Sequence, residues 1–315
     1  MGSSIERVID LSVPFFENEE LHVSLVRGDK IALIDSGMSS TPKDGLIPLL
    51  GNLGLTLSDV DYILHTHGHF DHKGGDAEIK ALGKAKIVVH ESESTLIEDY
   101  DSFHRNWSKV AYEMIGAEAA EAEWEMYATM WGEQVPVDMT IRDGATIDLG
   151  GCALQAVHIP GHSAGSVAWY LEEEGMLFTG DGLQGANAGD EHLPIIEFLE
   201  DYKKSVQKLL DMPIRTIVTA HALRDLHSPP VYKREGDAAT QFLRDCYEIA
   251  DTITSAIGKV AQNGSGKPFM KLFNEVIRQL PKEWGYGEMP EEGFPPFIVF
   301  RASGIFTGFK RLNAI

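Results

Sequence analysis

Residues 65–75, HTHGHFDHKGG, place four histidines and an aspartate in the eight positions from His65 to His72 and close on two glycines. A fold that accepts this stretch must supply a loop whose polar side chains converge on something, because such groups are costly to bury unpaired. Neutral imidazole and carboxylate are common ligands of zinc and other divalent transition metals, whereas a metal-free histidine cluster meets mutual repulsion when it takes up protons. The spacing suits two ions. His67 and His69 can face one, and the adjacent pair Asp71 and His72 leaves the loop in different directions toward a second. Gly68, Gly74 and Gly75 permit the torsions and close approaches that a loop with inward ligands needs.

One loop cannot complete two coordination spheres, so further ligands are expected downstream at strand ends. Three residues fit: His162 in IPGHSAGS, Asp181 in LFTGDG and His221 in IVTAH. Each follows or caps an apolar, strand-like run, which sets all three along one sheet edge with the loop. Asp181 suits the bridging place, since a carboxylate can hold two divalent cations close together while offsetting part of their charge. His104, His158, His192 and His227 lack such a context and are read as non-ligands, with His192 and His227 as candidate pocket residues.

Around these motifs the pattern is that of an α/β chain. RVIDLSV, LHVSLVRG and KIALIDSG predict an antiparallel start to a sheet, and STPKDGLIPLLGNLG a helix with Thr41 as N-cap and Pro42 at its first position. DYILHT leads into the histidine stretch, GGDAEIKALG reads as helix and KIVVHE as strand. Residues 92–132, rich in Glu, Ala, Met and Trp, read as a helical insertion. Strand signals return in TIRDGATIDLGGCALQAVHIPG, SVAWYLEEEGMLFTGD and IRTIVTAH, with a helix near 197–211. From about 233 to 281 the pattern is helical in two segments, and the apolar tail PPFIVFRASGIFTGFKRLNAI is ambiguous between helix and strand. The expected division is a main domain over 1–230 and a mainly helical extension over 231–315.

Composition narrows the partners. A formal net charge of −21 repels polyanions, so nucleic acid is not expected. No run of 18 apolar residues occurs and the N-terminal stretch lacks a secretory pattern, so no membrane association is expected. Cys152 and Cys246 stand far apart in unlike contexts and make neither a disulfide framework nor a thiolate zinc site; a reducing cytoplasm fits them.

HGHFDH matches the H-x-H-x-D-H signature of the metallo-β-lactamase superfamily, and PGHSAGS, FTGD and TAH match its later metal motifs in order and approximate spacing. The chain resembles that superfamily from residue 5 to about 225. The resemblance implies an αββα sandwich, with His67, His69 and His162 on a first metal, Asp71, His72 and His221 on a second, and Asp181 bridging both. Zinc is the foremost candidate, and iron or manganese suits the same ligands. Asp35 in ALIDSG resembles the superfamily's early Asp-x-Gly element, which orients a ligating loop. His65 is read as a packing histidine behind the ligands, Thr179 and Ser163 as groups that hydrogen-bond them, and Lys73 as a solvated lysine or an anchor for a substrate anion.

Two ions sharing one water would lower its pKa enough to leave hydroxide at neutral pH, with Asp71 receiving or orienting the proton. The implied activity is hydrolysis. The layout is similar to glyoxalase II-like and quinolone-precursor thioesterase members, which implies an ester or thioester of a small molecule as substrate. Lactone hydrolysis is the alternative, although lactonases commonly place a tyrosine soon after the bridging aspartate and GDGLQGANAGDEHLP has none. A non-catalytic regulatory metal-binding protein is the alternative of another class. Aromatics of the insertion (Phe103, Trp107, Tyr112, Trp124, Tyr127, Trp131) would either line a lid over the metal edge or pack the insertion onto the body, and the apolar tail would allow a homodimer.

Overall fold

A computed structural model describes residues 6–16, 19–186, 193–262, 264, 266–290 and 298–315. Two six-stranded sheets form its centre, each with its strands in chain order. The first contains β1 (Val8–Pro14), β2 (Glu20–Arg27), β3 (Ile31–Ile34), β4 (Tyr62–Leu64), β5 (Lys86–His90) and β6 (Met139–Ile141). β1 to β3 pair antiparallel, and β3 to β6 pair parallel. The second contains β7 (Thr146–Asp148), β8 (Ala153–His158), β9 (Val167–Leu171), β10 (Met176–Gly180), β11 (Thr216–Leu223) and β12 (Val231–Glu235). Only β10 and β11 are parallel there.

Parallel neighbours need crossover connections, and helices fill that role. α1 (Ile47–Asn52) joins β3 to β4, and α2 (Phe70–Lys73) with α3 (Asp76–Leu82) joins β4 to β5. The insertion, helical as expected, supplies α4 (Ser94–Glu98), α5 (Tyr100–Ile115) and α6 (Ala117–Met130) before β6. α7 (Leu199–Leu210) crosses from β10 to β11, and α8 (Asp237–Ala261), α9 (Phe269–Ile277) and α10 (Ile298–Arg311) complete the chain.

Side-chain alternation builds the layers. Along β9, Val167, Trp169 and Leu171 enter the core between the sheets with Ile34, Leu64 and Phe178, while Ala168 and Tyr170 face the helices outside. Leu33 of β3 and Ile87 of β5 turn the other way, onto Leu50 of α1 and Ile79 of α3. Strands covered on both faces read as nearly continuous apolar runs, as VAWYL does. The result is helix, sheet, sheet, helix. Trp169 is fully buried and its Nε1 donates to the carbonyl of His65 at 3.0 Å, so it joins the sheets just beneath the histidine loop. Trp169→Ala is expected to lower unfolding free energy by about 3–5 kcal/mol in denaturant titration, the range for a large aromatic lost from a packed core.

The structure departs from local expectations in three places. Thr41 does not cap a helix: it is itself in helical conformation, and its hydroxyl accepts from the Met38 amide at 2.9 Å. Pro42 does open a helical turn, but a π-type one over Pro42–Leu46 that runs into α1. The segment expected to be helical from 233 begins as β12, and α8 starts at Asp237. The ambiguous tail is helix α10, whose Ile298, Ala302, Ile305 and Phe309 recur at helical spacing and are buried in this chain's own core. Cys152 and Cys246 are buried and unpaired. Among the described residues no helix is long and apolar enough to cross a membrane.

Candidate metal centre

The chain reaches one edge of the sandwich repeatedly at strand ends. Asp35 follows β3, the stretch from His65 to His72 follows β4, His162 lies just past β8, Asp181 follows β10 and His221 lies in β11. Carboxyl ends of parallel strands are where α/β folds collect ligands. All seven residues expected as ligands come together there, in two groups: His67, His69 and His162, and Asp71, His72, Asp181 and His221, with potential ligand atoms within 4.8 Å of one another in each.

Hydrogen bonding fixes which ring nitrogens are free. His162 Nδ1 donates to the carbonyl of Ile195 at 2.8 Å, so its Nε2 carries the lone pair. His67 Nδ1 donates to the Thr66 hydroxyl at 3.1 Å, and that hydroxyl donates in turn to Asp35 Oδ2 at 2.8 Å. The Nε2 atoms of His67 and His162 then face each other as lone pairs 3.1 Å apart, with His69 Nδ1 at 3.0 Å from the latter. Two lone pairs facing each other, with a third imidazole nitrogen beside them, call for a cation. Burial and neighbouring histidines hold His67 and His162 below the usual imidazole range, and burial beside His162 brings His69 down to about 3, so all three stay neutral.

The second group is differently charged. His72 Nδ1 donates to Asp35 Oδ2 at 2.8 Å, while its buried Nε2 and the buried Asp181 Oδ1 have no hydrogen-bond partner. His221 Nε2 lies 3.2 Å from Asp71 Oδ2 and 3.6 Å from Asp181 Oδ1. Burial alone would lower both imidazoles, but the charge of Asp71 holds His72 well above its ordinary value and that of Asp181 raises His221. Burial would likewise raise Asp71 and Asp181, yet His72 and His221 keep both carboxyls low. A divalent ion could take the place of those protons, since ligands must be deprotonated to bind metal. Orphaned Nε2 and Oδ1 atoms and the facing lone pairs fit two cations, with Asp181 placed toward both groups: its Oδ1 is 3.6 Å from His72 Nε2 and its Oδ2 3.9 Å from His162 Nε2.

Behind the ligands lies a buried polar layer. Asp35, in the left-handed region at φ 65°, accepts from Thr66 N at 2.8 Å as well as from Thr66 Oγ1 and His72. His65 sits between Asp76 at 2.9 Å and Asp35 at 3.4 Å; burial opposes its charge, but the two carboxylates push it up to about 9. Thr179, expected to bond a ligand, does not: it donates to the carbonyls of Gly180 and Val218. Lys73 is neither solvated nor part of the pocket. It is fully buried 5.0 Å over the Trp131 ring, where burial pulls it down to about 8. His227 is exposed and outside the pocket, and His192 lies outside the described residues.

A cavity of about 240 Å³ opens over the two groups, reaching His69, Asp71, His162, Asp181 and His221. Its apolar walls include Phe15, Phe16, Phe70, Leu193, Leu223 and Phe300, and Glu19 and Arg301 add one charge of each sign. Phe15 stands 4.9 Å from the ring of His221 and Phe300 4.9 Å from that of His69. Aromatics of the insertion mostly pack instead: Trp107, Trp124, Tyr127 and Trp131 are buried against one another and against Tyr100 and Phe103. The aromatic rings nearest His221 and His69 therefore come from the β1–β2 turn and α10. Nothing in the spacing of Phe15 or Phe300 announced this, because both meet the site only through tertiary packing.

The family model described as the metallo-beta-lactamase superfamily matches residues 22–221, well over half of the chain. The chain belongs to the metallo-beta-lactamase superfamily. Among its relatives are a hydroxyacylglutathione hydrolase of Brucella anthropi, 28% identical over 74% of this chain and 75% of that protein, and the acyl-coenzyme A thioesterase MBLAC2 of Bos taurus, 27% identical over 49% and 51%. A beta-lactamase-like protein 2 homolog of Caenorhabditis elegans is 27% identical over 62% and 52%. This chain spans about half the length of the last two of these relatives. A metallo-beta-lactamase family protein of Thermus thermophilus shares the fold over 99% of this chain and 95% of that one, with a TM-score of 0.64 at 22% identity. The chain has the two-sheet core flanked by helices that this structural neighbour shares.

Proposed function

We propose that this protein is a dinuclear metal-dependent hydrolase that cleaves a thioester or ester of a small molecule with an apolar acyl group. The observation that carries the reading is the pocket itself: two groups of ligand-type side chains form its base and aromatic rings flank them on either side. His67, His69 and His162 would hold one ion, Asp71, His72 and His221 the other, and Asp181 would contact both. Bound there, divalent ions supply Lewis acidity and a water of lowered pKa.

This chain's own groups supply the rest. Asp71 lines the cavity and accepts the proton of the attacking water at a carboxylate oxygen, a role for which its geometry beside His221 is suited. Phe15, Phe70, Leu223 and Phe300 exclude bulk water and bury the acyl chain, worth about 0.8 kcal/mol per methylene. A cavity of about 240 Å³ is at or below the lower end for small-molecule sites, so it suits an acyl group while a bulky thiol leaving group would extend outside. The thioesterase and hydroxyacylglutathione hydrolase names among the relatives support a thioester. No tyrosine lines the pocket among the described residues, so nothing favours the lactone reading.

The test is a matched panel of thioesters, aryl esters, lactones and phosphodiesters offered to the metal-loaded protein, then repeated after chelation. Chelator-sensitive turnover of thioesters or esters, rising as the acyl group becomes more apolar, is expected. Turnover of lactones alone would move the assignment to a lactonase. No turnover despite a full metal complement would favour a regulatory protein.

A further inference from the structure

Glu93, just beyond β5 and at the root of the helical insertion, is buried with 1% of its surface exposed, yet it faces no lysine or arginine among its hydrogen-bond partners. Its carboxylate is satisfied by loops of the metal edge. Oε2 accepts from the Gly68 amide at 3.0 Å, and Oε1 accepts from the Ser163 hydroxyl at 2.8 Å and the Gly165 amide at 2.7 Å. Gly68 lies between His67 and His69, and Ser163 is next to His162. One side chain therefore joins the two segments that deliver the three-histidine group.

The surrounding sequence accommodates this carboxylate. A Cβ on Gly165 would come within 2.6 Å of Glu93 Cγ, and one on Gly68 within 2.7 Å of Leu96 Cβ and 3.3 Å of Glu93 Oε2, so both loops can close on it only as glycine. Asp35 has the complementary place. It holds His72 of the other group directly and His67 only through Thr66, whereas the bonds of Glu93 go to the loops of His67, His69 and His162. Each group thus has its own buried carboxylate.

We infer that Glu93 is the positioning residue of the three-histidine half, setting the separation of the His67–His69 loop from His162 and hence the affinity of that half for its ion. The inference rests on the metal reading above. Groups that orient ligands typically change metal affinity by about 10–100-fold when lost.

The experiment titrates metal-loaded wild type, Glu93→Ala, Glu93→Gln and Ser163→Ala with a chromophoric chelator, and repeats the series on cobalt(II)-loaded protein to follow the visible bands. In Glu93→Ala one of two equivalents should be released at about 10–100-fold lower chelator, with the other unchanged and the cobalt spectrum altered for one ion only. Glu93→Gln keeps the shape but must turn its NH2 toward a donor, at Gly68 or at the Ser163–Gly165 pair, and should fall in between. Ser163→Ala removes one donor and should shift the same equivalent by less. If Glu93→Ala does not fold, the selective shift in Ser163→Ala decides. Unchanged affinities, or equal weakening of both ions in a folded variant, would overturn the inference. A wild-type chain that takes up no metal would overturn the functional reading first, and this inference with it.

Discussion

Replacing Asp181 by alanine is expected to cut the proposed hydrolysis by orders of magnitude and to lower the stability of the metal-free protein as well. Asp181 is buried with 8% of its surface exposed, it stands within 4 Å of ring nitrogens from both ligand groups, and its Oδ1 has no hydrogen-bond partner. In the metal-free fold His72 and His221 compensate that charge and keep the carboxyl low against the effect of burial, so Asp181 contributes to stability there. Removing it therefore leaves His72 and His221 with less compensating charge in the metal-free fold and disables the loaded one. Turnover should fall by about 10²–10³-fold or more, the scale on which a preorganised charge-stabilising group acts, and metal content should drop with it. A thermal scan of metal-free Asp181→Ala at neutral pH should show a lowered midpoint. Wild-type turnover in a variant that binds less metal would sink the bridging role.

Asp35→Ala is expected to act chiefly on the fold itself. Asp35 accepts three bonds of 2.8 Å from Thr66 and His72 and neighbours His65 at 3.4 Å, all in the interior. His72 and His65 hold its carboxyl at about 2 against the effect of burial, so it is ionised at neutral pH. Taking that charge away leaves the donors of Thr66 and His72 unmatched and His65 with Asp76 alone, a loss of about 3–5 kcal/mol for a broken buried pair. Alanine also tolerates the left-handed backbone at φ 65° poorly, so Asp35→Asn separates charge from conformation, since asparagine adopts that region readily. Denaturant titration of the metal-free proteins should rank wild type above Asp35→Asn above Asp35→Ala. A loss below about 1 kcal/mol in Asp35→Ala, the net worth of a single ordinary hydrogen bond, would show that the network has another keystone.

How much of this was legible depended on what kind of interaction made each feature. The candidate ligands in HGHFDH stood out because their spacing is local, and His162, Asp181 and His221 because each ends an apolar run that alternation identifies as strand; the structure brings all seven together. The antiparallel start, the helical insertion and the crossover near 197–211 came from the same periodicities. Glu93 was not readable. Its partners are 25, 70 and 72 residues away, and its immediate context, HESES, is that of any exposed turn. Lys73 failed for the same reason: a lysine after a ligand reads as solvated until Trp131 closes over it from the far end of the insertion. Thr41 looked like a helix cap, but its hydroxyl found Met38 three residues back, a local competition that residue type alone does not resolve.

The most direct test of the proposed dinuclear hydrolase is to count metal equivalents per chain and thioester turnover on the same samples as ion is removed and restored stepwise. The arrangement of His67, His69 and His162 beside Asp71, His72, Asp181 and His221 predicts two equivalents at saturation, with turnover lost on stripping and recovered on reloading. Turnover that persists in the stripped protein, or a chain that saturates with no bound ion, would contradict it.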